Sequence, residues 1–129
     1  MLLDHIDHVA LAVADVELSA GWYREVLGLE RRHQELWGDE PAVLYAGMTA
    51  VALFAGARPP APAARSHAIG MRHLAFRSNR ENFLRAQAEL RGRGIEIVFA
   101  DHQISHSIYF HDPDGHQIEI TTYELNGAV

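Results

Sequence analysis

Cysteine is absent from the 129-residue sequence. A chain without cysteine has no disulfide, no thiolate nucleophile and no thiolate metal ligand, so nitrogen and oxygen atoms must hold any bound metal. Basic residues are also few, with 11 against 17 acidic residues and a formal net charge of −6. This deficit argues against nucleic acid or an anionic membrane surface as the main partner, because both attract clustered positive charge.

Long apolar runs are missing as well. No stretch approaches the roughly 20 residues that a membrane-spanning helix needs. The N-terminus lacks the basic start of a secretion signal and carries acids within its apolar stretch. We therefore expect a cytoplasmic protein with one compact domain, residues 1–129, whose length is enough for a hydrophobic core.

Short elements of secondary structure are predicted in the first half. Residues 5–13 alternate between apolar and small or polar side chains, which indicates a strand. Asp15 offers an N-cap for a helix over residues 16–27, and Gly28 ends that helix. Three short strands are predicted to follow, at residues 36–37, 42–46 and 50–55.

The same order of elements returns after residues 57–70, a segment rich in proline and alanine that we interpret as a linker. The second half is predicted to contain a strand, a helix and three more strands, at residues 71–77, 82–93, 95–99, 107–111 and 116–123. Residues 78–81 have the form of a capping box, and residues 112–115 (Asp-Pro-Asp-Gly) that of a hairpin turn. The repetition predicts an α+β fold with two βαβββ modules, residues 1–56 and 71–129. They are expected to form a curved mixed sheet around a metal-binding cavity, with the helices on the outer face.

Two of the nine histidines occupy equivalent places in the two halves. His8 and His73 each lie on the small or polar face of the first strand of a module, and Glu119 lies on the corresponding face of the last strand. Two imidazoles and a carboxylate on one cavity form a facial triad, which suits a divalent metal and leaves positions open for substrate and for water or O₂. A structural role would be the better interpretation for any one of them alone, whereas their shared pattern favours ligation.

These residues and the motifs around them resemble the vicinal oxygen chelate superfamily. That group includes glyoxalase I, extradiol dioxygenases, fosfomycin-resistance thiol transferases and bleomycin-binding proteins. The resemblance covers nearly the whole chain and rests on IDHVALAVADVELSAGWYREVLGL, MRHLAF and YFHDPDGHQIEI. It implies a unit of four modules, so that a two-module chain would form a homodimer. The metal could then be shared between His8 of one chain and His73 plus Glu119 of the other.

The resemblance also separates the activities within the superfamily. Glyoxalase I enzymes carry a fourth ligand where residues 50–54 offer none, and fosfomycin transferases have a lysine and serine cluster where residues 99–107 contain no lysine. Bleomycin-binding proteins generally lack the metal triad. Extradiol ring-cleavage enzymes fit best at the C-terminal end, which implies that Tyr109 and His102 contact the bound catecholate and dioxygen.

One position departs from the extradiol pattern, since Met48 and Thr49 stand where that family has an acid–base histidine. The leading expectation is an extradiol-dioxygenase-type enzyme that acts on a small, catechol-like substrate with Fe(II). An alternative is a glyoxalase-like isomerase or epimerase, or another metal-dependent lyase or transferase, with Mn²⁺, Ni²⁺ or Zn²⁺. A third is a non-enzymatic resistance protein that binds a small molecule.

Overall fold

The structure is a computed structural model, which describes residues 1–57 and 69–125. The chain divides into two compact units, Met1–Pro62 and Ala63–Val129. The predicted linker, residues 57–70, lies mostly outside the described residues and remains a prediction. No helix in the described ranges is long and apolar enough to cross a membrane.

The first unit contains a mixed four-stranded sheet in the order β1-β4-β3-β2. Its elements are β1 (His8–Val13), α1 (Val16–Glu25), β2 (Glu30–Arg32), α2 (Gln34–Trp37), β3 (Ala42–Ala46) and β4 (Thr49–Ala55). β1 pairs with β4 in parallel, and the other pairings are antiparallel. The parallel pairing places the last strand of the unit beside its first.

Helix α1 covers one face of this sheet. The Asp15 side chain accepts a hydrogen bond from the Leu18 N–H at 3.1 Å and so caps the helix. Tyr23 and Ala20 are buried on the inner side of the helix. The strand residues buried on that side are Leu11, Val13, Leu44, Val51 and Leu53. The opposite sheet face, which begins with His8, is therefore the one not used for the helix.

The second unit repeats this plan with the sheet order β5-β8-β7-β6. Its elements are β5 (Leu74–Arg77), α3 (Arg80–Gly92), β6 (Val98–Asp101), β7 (His106–His111) and β8 (Gln117–Thr122). β5 and β8 are parallel, as β1 and β4 are. Phe83 and Leu90 are the buried side chains of α3. The predicted α+β class with two βαβββ modules is confirmed.

The prediction of a strand at residues 36–37 was wrong. These residues belong to α2, where the N–H groups of Leu36 and Trp37 donate to the His33 carbonyl at 3.1 and 2.9 Å. Two adjacent apolar residues carry too little periodicity to separate strand from helix. The second strand of the unit is β2, which lies earlier in the chain and whose sequence Glu-Arg-Arg has no apolar residue to indicate a strand. Its Arg31 forms two hydrogen bonds to Glu17 of α1, at 3.0 and 3.1 Å.

Two boundaries in the second unit also differ from the prediction. Helix α3 begins at Arg80 because Asn79, and not Ser78, caps it by accepting from the Asn82 N–H at 2.8 Å. The next strand covers Val98–Asp101 instead of residues 95–99. The end of α3 accounts for the shift, because the Ile95 N–H donates to the Leu90 carbonyl at 2.9 Å. This N–H is therefore not available to pair with a neighbouring strand.

The predicted turn between β7 and β8 is present and is held by a buried carboxylate. Asp112 is 5% exposed. Its Oδ1 accepts from the N–H groups of Asp114 and His116 at 3.0 and 2.8 Å, and its Oδ2 lies 2.8 Å from His116 Nδ1. The turn fixes the register of the two strands that carry Tyr109 and Glu119.

Removal of the Asp112 carboxylate is expected to destabilise the fold. Asp112→Ala leaves two backbone N–H groups without their acceptor and should lower the free energy of unfolding by about 2–3 kcal/mol in urea titrations. Asp112→Asn retains one acceptor oxygen and should cost clearly less. Equal losses in the two variants would contradict this account of the turn.

Candidate functional site

The small and polar face of the second sheet brings predicted site residues together. Tyr109 of β7 lies opposite Glu119 of β8, which in turn lies beside Ala75 of β5. Laterally paired residues point to the same side of a sheet, so these side chains share one face, and His73 shares it two positions before Ala75. The other face is apolar and buried, with Ile108, Phe110, Ile118 and Ile120.

Glu119 is a buried carboxylate, only 8% exposed, and both of its oxygens have partners. Oε2 accepts a 2.7 Å hydrogen bond from the Ser107 hydroxyl, whose oxygen lies 3.0 Å from Thr121 Oγ1. Oε1 lies 2.9 Å from Nε2 of His73. Burial of an unpaired carboxylate would be costly, so Ser107 and His73 explain why it is tolerated here.

The separation of these two donor atoms suits a divalent cation. Ligands about 2.1 Å from a metal, at right angles to one another, are about 3.0 Å apart. His73 Nε2 and Glu119 Oε1 already have this spacing, at 2.9 Å. Within either unit taken by itself, the described residues contain no group of three His, Asp or Glu side chains placed to hold a metal. A three-ligand set would need a further ligand from elsewhere.

His8 is the residue predicted to supply that ligand, and it begins strand β1 of the first unit. Its side chain is 52% exposed, and its Nδ1 lies 2.8 Å from Asp7 Oδ2. This contact orients the ring and leaves Nε2 as the nitrogen available to a metal. A carboxylate on the far nitrogen is the usual support of a metal-binding histidine.

Tyr109 and His102 are in direct contact. The Tyr109 hydroxyl lies 3.0 Å from His102 Nε2, and the Tyr109 ring meets the His73 ring edge-on at 5.8 Å between centroids. Burial raises the pKa of Tyr109, the charge and hydrogen bond of Glu119 raise it further, and a hydrogen bond with Ser107 opposes them. The phenol therefore keeps its proton at neutral pH and acts as a hydrogen-bond donor.

Thr49, one of the two residues that stand where the extradiol pattern has a histidine, has a structural role. The Thr49 hydroxyl donates to the Ile6 carbonyl at 2.8 Å, which ties the start of β4 to the chain before β1. Met48 is exposed and has no titratable group. Neither residue replaces the base that the extradiol pattern has at this place.

Sequence reasoning missed two features of the site. Alternation along the strand puts Ser107 on the same face as Tyr109, but its role as the donor to Glu119 depends on the β7–β8 register. A cavity of about 350 Å³ on the first unit, which His8 lines together with Trp37 and Tyr45, had no sequence signal. Its walls come from segments far apart along the chain.

Residues 5–120 match the family model described as the Glyoxalase/Bleomycin resistance protein/Dioxygenase superfamily. The chain belongs to this superfamily. The repeated module, the parallel pairing of first and last strands and the polar sheet face are thus features of a family member. The family by itself covers several activities, so it does not identify the reaction.

Proteins similar to this chain are named for different activities. The metallothiol transferase FosB of Staphylococcus epidermidis is 31% identical, over 97% of this chain and 86% of that protein. The catechol-2,3-dioxygenase of Bacillus subtilis is 30% identical, over 90% of this chain but only 40% of that protein. Among solved structures, a glyoxalase/dioxygenase from Nostoc punctiforme superposes with a TM-score of 0.81 at 26% identity, over 94% of this chain and 92% of that chain.

The Tyr109 titration provides a test of this site's electrostatics. Glu119→Gln removes the negative charge that raises the Tyr109 pKa, so the phenol should ionise at lower pH in that variant, while burial keeps its pKa above the ordinary value. Ultraviolet titration, with Tyr109→Phe to assign the signal, measures the change. Glu89→Gln, which neutralises an exposed carboxylate on α3, is the control and should leave the Tyr109 titration unchanged.

Proposed function

We propose that this protein is a divalent-metal-dependent enzyme of extradiol-dioxygenase type, acting on a small catechol-like substrate with two vicinal oxygens. His8, His73 and Glu119 are the proposed metal ligands, and Fe(II) is favoured because two histidines and a carboxylate are typical of non-haem Fe(II) oxygenases. The observation that supports this most directly is the 2.9 Å spacing of His73 Nε2 and the buried Glu119 Oε1.

The supporting contacts fit the same interpretation. Ser107 donates to the Glu119 oxygen that does not face His73, and Asp7 contacts the His8 nitrogen on the far side from the proposed metal position. Both contacts fix the orientation of a ligand without occupying its donor atom. The His73 contact satisfies the buried Glu119 Oε1, and its 2.9 Å spacing is also the one that a shared divalent ion needs.

The proposed chemistry divides between the metal and the protein. A bound divalent metal supplies Lewis acidity toward the two vicinal substrate oxygens. Tyr109, protonated at neutral pH, donates a hydrogen bond toward negative charge that develops on the substrate. His102 lies within 3.0 Å of the Tyr109 hydroxyl and can accept or return a proton there, a function that Met48 and Thr49 cannot supply.

A second candidate is the transfer of a thiol to an electrophile, with Mn²⁺, Ni²⁺ or Zn²⁺ in the same site. It is favoured by the near end-to-end match to FosB, whereas the match to the catechol dioxygenase covers 40% of that enzyme. Oxygen consumption with catechols and thiol consumption with an epoxide separate the two reactions. A metal-loaded protein that performs neither would be a small-molecule-binding protein, the third alternative.

We also infer a homodimer in which two chains supply four modules, consistent with the match covering only 40% of the length of the catechol dioxygenase. If the metal is shared, His8 of one chain joins His73 and Glu119 of its partner. A mixture of His8→Ala and His73→Ala proteins, unfolded and refolded together, should then regain part of the metal binding, because each mixed dimer keeps one intact set. No recovery in mixed dimers would indicate that all three ligands come from one chain.

Metal content provides the first test of the proposed function. Protein purified without added metal should contain about one divalent ion per chain, and Glu119→Gln should lose most of it. Ser107→Ala should weaken metal affinity by roughly 10- to 100-fold, since it removes the donor that orients Glu119. Ser78→Ala, which removes a hydroxyl elsewhere in the same unit, should have no effect. Equal affinity in the Ser107 and Ser78 variants would count against ligation by Glu119.

Turnover provides the second test. Tyr109→Phe should leave metal affinity nearly unchanged but lower the rate of oxygen uptake with catechol by roughly 10- to 1,000-fold, because one donor to a developing charge is lost. Thr49→His should raise catechol cleavage if only the base is missing, with unfolding measurements to correct for the lost Ile6 contact. Absence of oxygen uptake in wild type and in Thr49→His, both loaded with iron, would exclude the dioxygenase assignment.

A further inference from the structure

The cavity on the first unit has aromatic walls and lies on the same sheet face as His8. Ala50 pairs laterally with both His8 and Tyr45, so these three residues point to the same side of the sheet. Ala52 pairs in the same way with Ala10 and Val43. The three aromatic side chains that line the cavity are Trp37, Tyr45 and Phe54. Its volume, about 350 Å³, lies within the usual range for small-molecule sites.

The carboxylates that line this cavity are Asp7 and Glu40, and no arginine is among the described residues that line it. Glu40 accepts a hydrogen bond from the Ala55 N–H at 3.1 Å, so a neutral backbone group holds its position and leaves its charge uncompensated. Asp7 contacts the His8 ring at 2.8 Å. The cavity therefore combines aromatic faces with negative charge.

A guanidinium that contacts Tyr45 does not reverse this balance. Arg32 lies over the Tyr45 ring, 4.6 Å from its centroid, but outside the cavity lining. Its Nη2 is 3.1 Å from Glu30 Oε2, so the pair carries no net charge. The contact also shows that one face of Tyr45 already accommodates a cation.

We infer that the cavity selects a positively charged substituent, and that the substrate is a catecholic amine and not a catecholic acid. This rests on the proposed function, because His8 is both a wall of the cavity and a proposed metal ligand. An ammonium group gains from the aromatic faces of Trp37, Tyr45 and Phe54 and from the charges of Asp7 and Glu40. A carboxylate of the same size would be repelled by both acids.

The charge preference can be measured without metal. Phenethylamine and phenylacetate have a similar size and opposite charge, and neither has the vicinal oxygens that a metal would bind. Titration of metal-free protein, followed by tryptophan fluorescence with Trp37→Phe to assign the signal, should show phenethylamine binding at least about tenfold more tightly. Equal or tighter binding of phenylacetate, or no binding of phenethylamine, would overturn the inference.

Two glutamate variants distinguish the effect of a charge inside the cavity on ligand preference from the effect of general surface charge. Glu40→Gln should reduce the preference for phenethylamine to about threefold or less. Glu35→Gln removes an exposed carboxylate from α2 that does not line the cavity, and it should retain the full preference. The same reduction in both variants would mean that the cavity does not provide the selection.

A turnover experiment distinguishes failure of this inference from failure of the proposed function. Iron-loaded protein is supplied with 3,4-dihydroxyphenethylamine or with 3,4-dihydroxyphenylacetate, and oxygen uptake is recorded. Preferential uptake with the amine supports both proposals. Faster uptake with the acid retains the dioxygenase assignment and overturns the inferred selectivity. Tight phenethylamine binding without uptake on either catechol retains the charge-selective cavity and removes the dioxygenase assignment.

Discussion

Both units depend on the same constraint, which is that a four-stranded sheet covered by a single helix has one buried face. Strand side chains alternate, so apolar residues such as Leu11 and Ile118 must all point toward the helix, and the residues between them must point away. The face away from the helix can then hold histidine, glutamate and tyrosine without loss of core packing. The proposed site residues lie on the faces that the helices do not cover.

The second unit shows how such a face can hold a buried acid. Glu119 is nearly as buried as the core, and it is stable there because Ser107 and His73 satisfy its two oxygens. The proposed ligation would use the orientation that the same two contacts set, so it depends on the same geometry as stability does. The Asp112 turn sets the register that brings Ser107 and Glu119 together.

The corresponding sheet face of the first unit carries different side chains. Where the second sheet carries Tyr109 and Glu119, the first carries the smaller side chains of Val43 and Ala52. Small residues leave open the volume that Trp37, Tyr45 and Phe54 surround. One module thus supplies most of the polar groups of the proposed reaction, and the other supplies a cavity whose chemistry can discriminate between substrates.

Sequence periodicity by itself determined the α+β class, the duplicated module and the face on which His8, His73, Glu119 and Tyr109 lie. It could do so because alternation and turn residues are local properties of the chain. It failed at β2, which has only charged residues and is held by hydrogen bonds to its neighbouring strand and by the contact of Arg31 with Glu17. Only the tertiary structure decided that Ser107 donates to Glu119, that His102 contacts Tyr109, and that an acidic aromatic cavity opens beside His8. These features depend on strand register and loop path, which bring together residues distant along the chain and leave no periodic trace in the sequence.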